Sequence, residues 1–259
     1  MKTKLITALI LLCSLFLSGC ASLDGPTDSS DPFESYNRSM NSFNNNVDRY
    51  VLKPVAKGYD AITPSPVQKG VSNFFNNLDD VLVIFNDLFQ FKLLHLASDT
   101  GRLLVNSTVG LFGIIDWASD IGLEKRNEDF GQTLGYWGVP SGPYLILPFF
   151  GPSTVRDAGG RLVDSSYLDP INNEVEEQWI YPNRDVNTAT GLTIANVINI
   201  RTGFLKAEGI LSQAALDPYI YVREAFLQRR NSLVHDGNPP IDSDWDDDAL
   251  FDEDDIFED

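Results

Sequence analysis

Cysteine is almost absent. There are two, Cys13 and Cys20, in 259 residues. Nothing beyond residue 20 can therefore form a disulfide or a thiolate metal site. Histidine is equally scarce. His95 and His235 stand far apart in the chain with no cysteine partner, so no nucleophile–base pair is written in the sequence. No G-x-S-x-G elbow, P-loop or H-E-x-x-H helix occurs. Lacking a nucleotide motif, the chain cannot itself couple work to ATP. Bases are few, 19 Lys and Arg against 37 Asp and Glu, for a net charge of −18. That excludes a nucleic-acid binder, which needs a basic face, and argues against electrostatic docking on anionic lipid. No apolar run reaches 18 residues, so no helix is predicted to cross a bilayer. Glu128-Asp129 is the kind of carboxylate pair a glycoside hydrolase uses, but acidic pairs are also common on surfaces. The expectation is a protein that performs no bond chemistry.

What is present starts at the first residues. Lys2 and Lys4 make a short positive region, and residues 5–17 an apolar one too short to span. It ends in Leu17-Ser18-Gly19-Cys20, small residues before a cysteine, which resembles the bacterial lipobox. Residues 1–19 read as a removable signal, and Cys20 as the acylated N-terminus carrying a diacylglycerol and an N-acyl chain. Each buried methylene contributes about 0.8 kcal/mol, so two or three chains hold firmly where one holds marginally. Ala21 stands where an aspartate would resemble an inner-membrane retention signal, which implies sorting to the outer membrane. Residues 20–31 read as the lipidated N-terminus and a flexible tether reaching roughly 18 Å. Residues 32–236 read as one mainly α domain and 237–259 as an acidic disordered tail. Eleven acids and no base lie in 242–259; without them the balance is −7, and about −9 once Lys2 and Lys4 are removed.

Within the domain the apolar spacing is helical. Phe33, Tyr36, Met40, Phe43, Val47 and Tyr50 recur at three- and four-residue steps, with Pro32 predicted near the start and Pro54 at the end. The opposite face carries Asn37, Asn41, Asn44 and Asn45. It is either an Asn-rich solvent face or the lining of something polar but uncharged. Thr63-Pro64 restarts a helix with a broad aromatic stripe through Phe89, and residues 93–106 read as another. Residues 109–118 are apolar all round but short, which suits core or a membrane interface. Residues 131–152, GQTLGYWGVPSGPYLILPFFGP, are too rich in Gly and Pro for regular structure. An aromatic loop of this kind must be buried, in lipid or against a partner. Helices are predicted near 153–164 and 188–211, with an irregular stretch between, and from Asp217-Pro218 onward. No strand-rich block or internal repeat is evident.

Several segments together resemble the VacJ/MlaA outer-membrane lipoproteins. They are DPFESYNRSMNSFN (31–44), VLKPVAKGYDAITPSPVQKGVSNFFNNL (51–78), NSTVGLFGIIDWAS (106–119), EDFGQTLGYWGVPSGPYLILPFFGPSTVRDAGG (128–160) and DPYIYVREAFLQRR (217–230). The resemblance implies a ring of amphipathic helices lying in the inner leaflet of the outer membrane around a central channel. It implies removal of misplaced phospholipids from the outer leaflet and their transfer to the periplasmic phospholipid-carrier protein of the Mla pathway. It also implies association with trimeric porins. Carried onto this sequence, Asn41, Phe43, Asn44 and Asn45 fall in the family's early-helix gate region. Gly138 and Gly142 bracket its channel hairpin, with Pro140 between them where a glycine is common. Arg156 and Asp157 match a charged motif near the channel, or form a simple structural ion pair. A scaffold lipoprotein that docks partners without moving lipid is the competing reading.

Overall fold

The computed structural model describes residues 31–168, 170, 186–205 and 217–240. The signal segment, Cys20, most of the tether, the stretch before Val186 and the acidic run from residue 241 lie outside the described residues.

The fold is mainly helical, as the spacing predicts, and no described helix is long and apolar enough to cross a membrane. Helix α1 (Glu34–Val47) does not stop at Pro54. It runs through a π-helical turn (Asp48–Leu52) into α2 (Lys53–Ile62). Pro54 lacks an N–H, and its ring would clash with a carbonyl one turn back in a regular helix. The π turn supplies the room: the Lys53 N–H bonds the carbonyl of Asp48, five residues back. Asp31, expected at the end of a tether, is instead fully buried. Its carboxylate accepts from the Asn37 amide, the Tyr219 hydroxyl and Arg223.

Helix α3 (Ser65–Phe89) turns back on α4 (Leu93–Thr108). A chain of turns then leads to the short α5 (Trp117–Asp120), N-capped by Asp116. The Gly/Pro-rich region expected to be irregular holds helix α6 (Phe130–Tyr136) and a two-stranded antiparallel hairpin, β1 (Tyr144–Leu147) and β2 (Gly151–Thr154), paired Tyr144 to Thr154 and Leu147 to Gly151. Asp129 caps α6. A glycine in the next helix, α7 (Val155–Val163), serves close approach: a Cβ on Gly160 would lie 2.3 Å from the Gly131 nitrogen, so only glycine lets α7 meet α6 there. A second π turn (Asp164–Leu168) extends α7. Helix α8 (Val186–Leu205) packs on α2 and α3, and α9 (Pro218–Val234), capped by Asp217, closes the described chain.

One small apolar core forms where Tyr144, Ile146 and Tyr219 meet Met40, Phe226 and Leu227. It joins the hairpin, α1 and α9. Elsewhere the interior is of another kind.

Candidate functional site

The molecule is inverted. Among the described residues seven buried side chains are hydrophobic and twenty are polar or charged. The apolar side chains are mostly outside: Leu94 is 87% exposed and Phe112 78%, and Phe33, Tyr36, Phe43 and Tyr50, along α1 and its π turn, are exposed. Such a surface is far beyond the scattered apolar exposure of a protein in water.

Inside, polar residues recur at helical spacing on the facing sides of α3 and α4. Asn77, Asp80 and Asp87 oppose Asp99, Arg102 and Asn106. Arg102 is the hub. Its guanidinium meets Asp80 at 3.2 Å and Asp116 at 2.9 Å, and donates to Ser119 Oγ and the Leu123 carbonyl. Asn106 donates to the second Asp116 oxygen at 2.9 Å and accepts from the Ala118 N–H. Burial works against the Asp116 charge, but Arg102, Ser119 and Asn106 outweigh it and hold the carboxyl down at about 2. Lys125 reaches Asp79 and Asp80, each at 2.7 Å. Nearer the α3–α4 turn, Asp87 and Asp99 are both fully buried, with Arg126 at 3.3 Å from Asp99. Among the described residues no donor reaches either Asp87 oxygen. Burial, then the neighbouring Asp99 carboxyl, pushes Asp87 up to about 8.

A cavity of about 430 Å³ opens between α3, the 127–129 loop, the hairpin, α7 and α9. Its wall mixes carboxylates and guanidinium groups with Leu82, Phe150 and Phe226. Arg230 binds Asp129 through two contacts of 2.6 and 3.0 Å and Asp157 at 2.8 Å, so α6, α7 and α9 are tied at one point. Asp164 accepts the Phe130 N–H, and burial raises its carboxyl to about 6.

A sequence profile described as MlaA lipoprotein matches residues 29–233. The chain belongs to the MlaA lipoprotein family. A Haemophilus influenzae protein named "Intermembrane phospholipid transport system lipoprotein MlaA" is 34% identical over 244 residues, covering 92% of this chain and 93% of that one. An Escherichia coli K12 protein of the same name is 36% identical over 242 residues, covering 90% of each. A solved structure reported as "Structural basis for maintenance of bacterial outer membrane lipid asymmetry" matches with a TM-score of 0.65 at 33% identity, over 79% of this chain and 99% of that one.

In this MlaA-family chain the Asn-rich face of α1 is only in part a solvent face. Asn37 and Asn44, two turns apart, cover the open edge of β1. The Asn37 amide donates to the Tyr144 carbonyl (3.0 Å) and accepts from the Ile146 N–H (2.8 Å). Asn44 donates to the Leu147 carbonyl (2.9 Å) and accepts from the Phe149 N–H (2.8 Å). Each side-chain amide presents a donor and an acceptor, as a strand's peptide group would. Phe43 meets Phe149 edge to face at 5.2 Å. Asn41 is half-buried and Asn45 exposed.

Gly138 closes α6 with a φ of +84°, its N–H on the Gly135 carbonyl. Gly142 has a φ of +67°, and Pro140 between them is exposed. Arg156 anchors this segment. Its backbone N–H bonds the Ser141 carbonyl at 3.0 Å and its guanidinium the Val139 carbonyl at 3.3 Å. It also pairs with Asp157 at 3.1 Å. Arg156 and Asp157 are therefore an ion pair, and Asp157 also lines the cavity. Glu128 and Asp129 are occupied: Glu128 by Lys92 and Gln90, Asp129 by Arg230 and the α6 cap. The sequence pattern does not single out Arg102, Asp116, Arg161, Asp164 or Arg230 as site residues. For the Arg102 group a signal existed, since Asn77, Asp80 and Asp87 recur at helical spacing opposite the apolar stripe. Nothing local marks the others.

Proposed function

We propose that this chain, anchored through lipidated Cys20 on the periplasmic side of the outer membrane, removes mislocalised phospholipids from the outer leaflet and passes them to a periplasmic carrier protein. It acts as a conduit and breaks no bond. The inverted arrangement carries the reading. An apolar exterior suits a leaflet, and a charged interior with an amphipathic cavity suits a headgroup. A phospholipid has about 30 chain methylenes, so at about 0.8 kcal/mol each, free release into water costs on the order of 24 kcal/mol. A transfer path must keep the tails covered while the headgroup passes. The names of the relatives support the substrate class. Seating beside trimeric porins is the further expectation that comes with the family.

The test is surface-exposed phospholipid in cells lacking the gene, read by an outer lipase or by detergent-plus-chelator sensitivity. A rise corrected by a plasmid copy is expected. No rise, with the protein normally made and anchored, would favour a scaffold that docks partners without moving lipid.

A further inference from the structure

The cavity wall is unevenly neutralised. Among its five carboxylates, Asp79 has Lys125 at 2.7 Å, Glu128 has Lys92 at 3.2 Å and Asp129 has Arg230 at 2.6 Å. Two remain. Asp157 is more than nine-tenths buried and lines the cavity. Its Oδ1 takes every contact from Arg156 and Arg230, while Oδ2 has no partner among the described residues. Asp164 is also buried, and no described cation comes within ion-pair distance of it; its oxygens accept from the Phe130 N–H. Between these two in sequence lies Arg161. Its guanidinium sits 5.3 Å from the Phe150 ring centroid, with no carboxylate at salt-bridge distance among the described residues. Residues 157, 161 and 164 are four and three apart, so they share one face of α7 and its π extension. That face presents a guanidinium with no carboxylate at salt-bridge distance, flanked by the unpartnered Oδ2 of Asp157 and by Asp164, with the apolar Leu82 and Phe226 in the same wall. The volume falls in the range of small-molecule sites, about 300–1,000 Å³.

We propose that this cavity is a headgroup site selective for phospholipids ending in a primary ammonium, with Arg161 on the phosphate and Asp157 and Asp164 on the ammonium. The inference rests on the lipid-transport reading above. A guanidinium suits a phosphate, and an unpaired buried carboxylate oxygen requires a hydrogen-bond donor, met most strongly by a charged N–H. A phosphoglycerol headgroup brings only negative charge and hydroxyls to a wall rich in carboxylates. A quaternary choline brings positive charge but no N–H.

The experiment uses the purified full chain in detergent with an equimolar mixture of phosphatidylethanolamine, phosphatidylglycerol and phosphatidylcholine. Bound lipid is counted by native mass spectrometry. Phosphatidylethanolamine is expected to be enriched roughly tenfold, the ratio given by about 1.4 kcal/mol of differential binding. Asp164→Asn, which keeps an acceptor for the Phe130 N–H, should remove the preference while lipid still binds. Arg161→Gln, at an exposed side chain, should lower uptake of all three. Soluble phosphoethanolamine should compete and glycerol phosphate should not; competition by both equally would indicate a phosphate site without ammonium selectivity. Equal uptake of the three lipids, or a preference unchanged in Asp164→Asn, overturns the headgroup site and leaves the transport reading standing. Absence of any bound lipid overturns both.

Discussion

Asn37 shows how much one side chain can decide. Its amide is buried and makes both hydrogen bonds that a neighbouring strand would have made to β1. Asn37→Ala leaves the Ile146 N–H without its acceptor, and an orphaned buried donor costs about 1–3 kcal/mol. Denaturant titration of the detergent-solubilised protein should show that loss, whereas Asn45→Ala at an exposed position should change stability by less than about 0.5 kcal/mol. Asp87 makes a pH prediction. Its folded pKa, about 8, lies above the unfolded value of 3.8. Between these the native state holds a proton that the unfolded chain has lost. The group's contribution is thus full below about pH 4 and is lost as pH rises through about 8. Asp99 and Glu128 push in this direction, and Lys92 opposes them. Thermal unfolding from pH 6 to 9 should show falling stability, with a shallower fall in Asp87→Asn. Equal slopes would mean that another group carries the dependence.

At the scale of elements, the segment between α6 and β1 is held more firmly than its glycines suggest. Gly138 has a φ of +84° because it caps a helix, and the segment is bonded to α7 through Val139 and Ser141. Proline cannot adopt that φ. Gly138→Pro would therefore break the cap rather than test hinging. Gly138→Ala has open space for its methyl and only the left-handed backbone to pay for, about 1–2 kcal/mol. It should lower the melting temperature and leave lipid flux largely intact. Arg156→Ala frees the Val139 carbonyl and is the better probe of motion: if this segment gates, flux should change more than stability does. The helix spacing, the cap at Asp217 and the boundaries of most long helices were legible in the sequence because they depend on residues within one turn. The continuation through Pro54 was not, because it depends on a π turn that slips the hydrogen-bond register. The hairpin was hidden for another reason. Its four-residue strands are held by α1, about a hundred residues earlier in the chain, not by their own propensity.

At the scale of the whole molecule, the exterior makes the claim. Leu111 and Phe112 stand exposed at a turn, both with positive φ, an arrangement that costs energy and displays two apolar side chains. Leu111→Asp with Phe112→Asp should leave the fold in detergent unchanged, since neither side chain is buried. In cells the double variant should remain anchored through its lipid yet clear outer-leaflet phospholipid poorly. Full clearance would mean that this turn does not enter the leaflet. The sequence by itself determined the helical class, the amphipathic spacing and the family, because these are written in local pattern and order. It could not say which face of each helix turns inward. The same apolar stripe serves a core in water and a surface in lipid. Only the tertiary structure brought Asp80 to Arg102 and Asp116, Asn37 to the edge of β1, and Asp157, Arg161 and Asp164 to one cavity wall. Asn37 and β1 are about a hundred residues apart, and even neighbours such as Asp157 and Arg161 show no sign in sequence of the wall they share with α3 and α9.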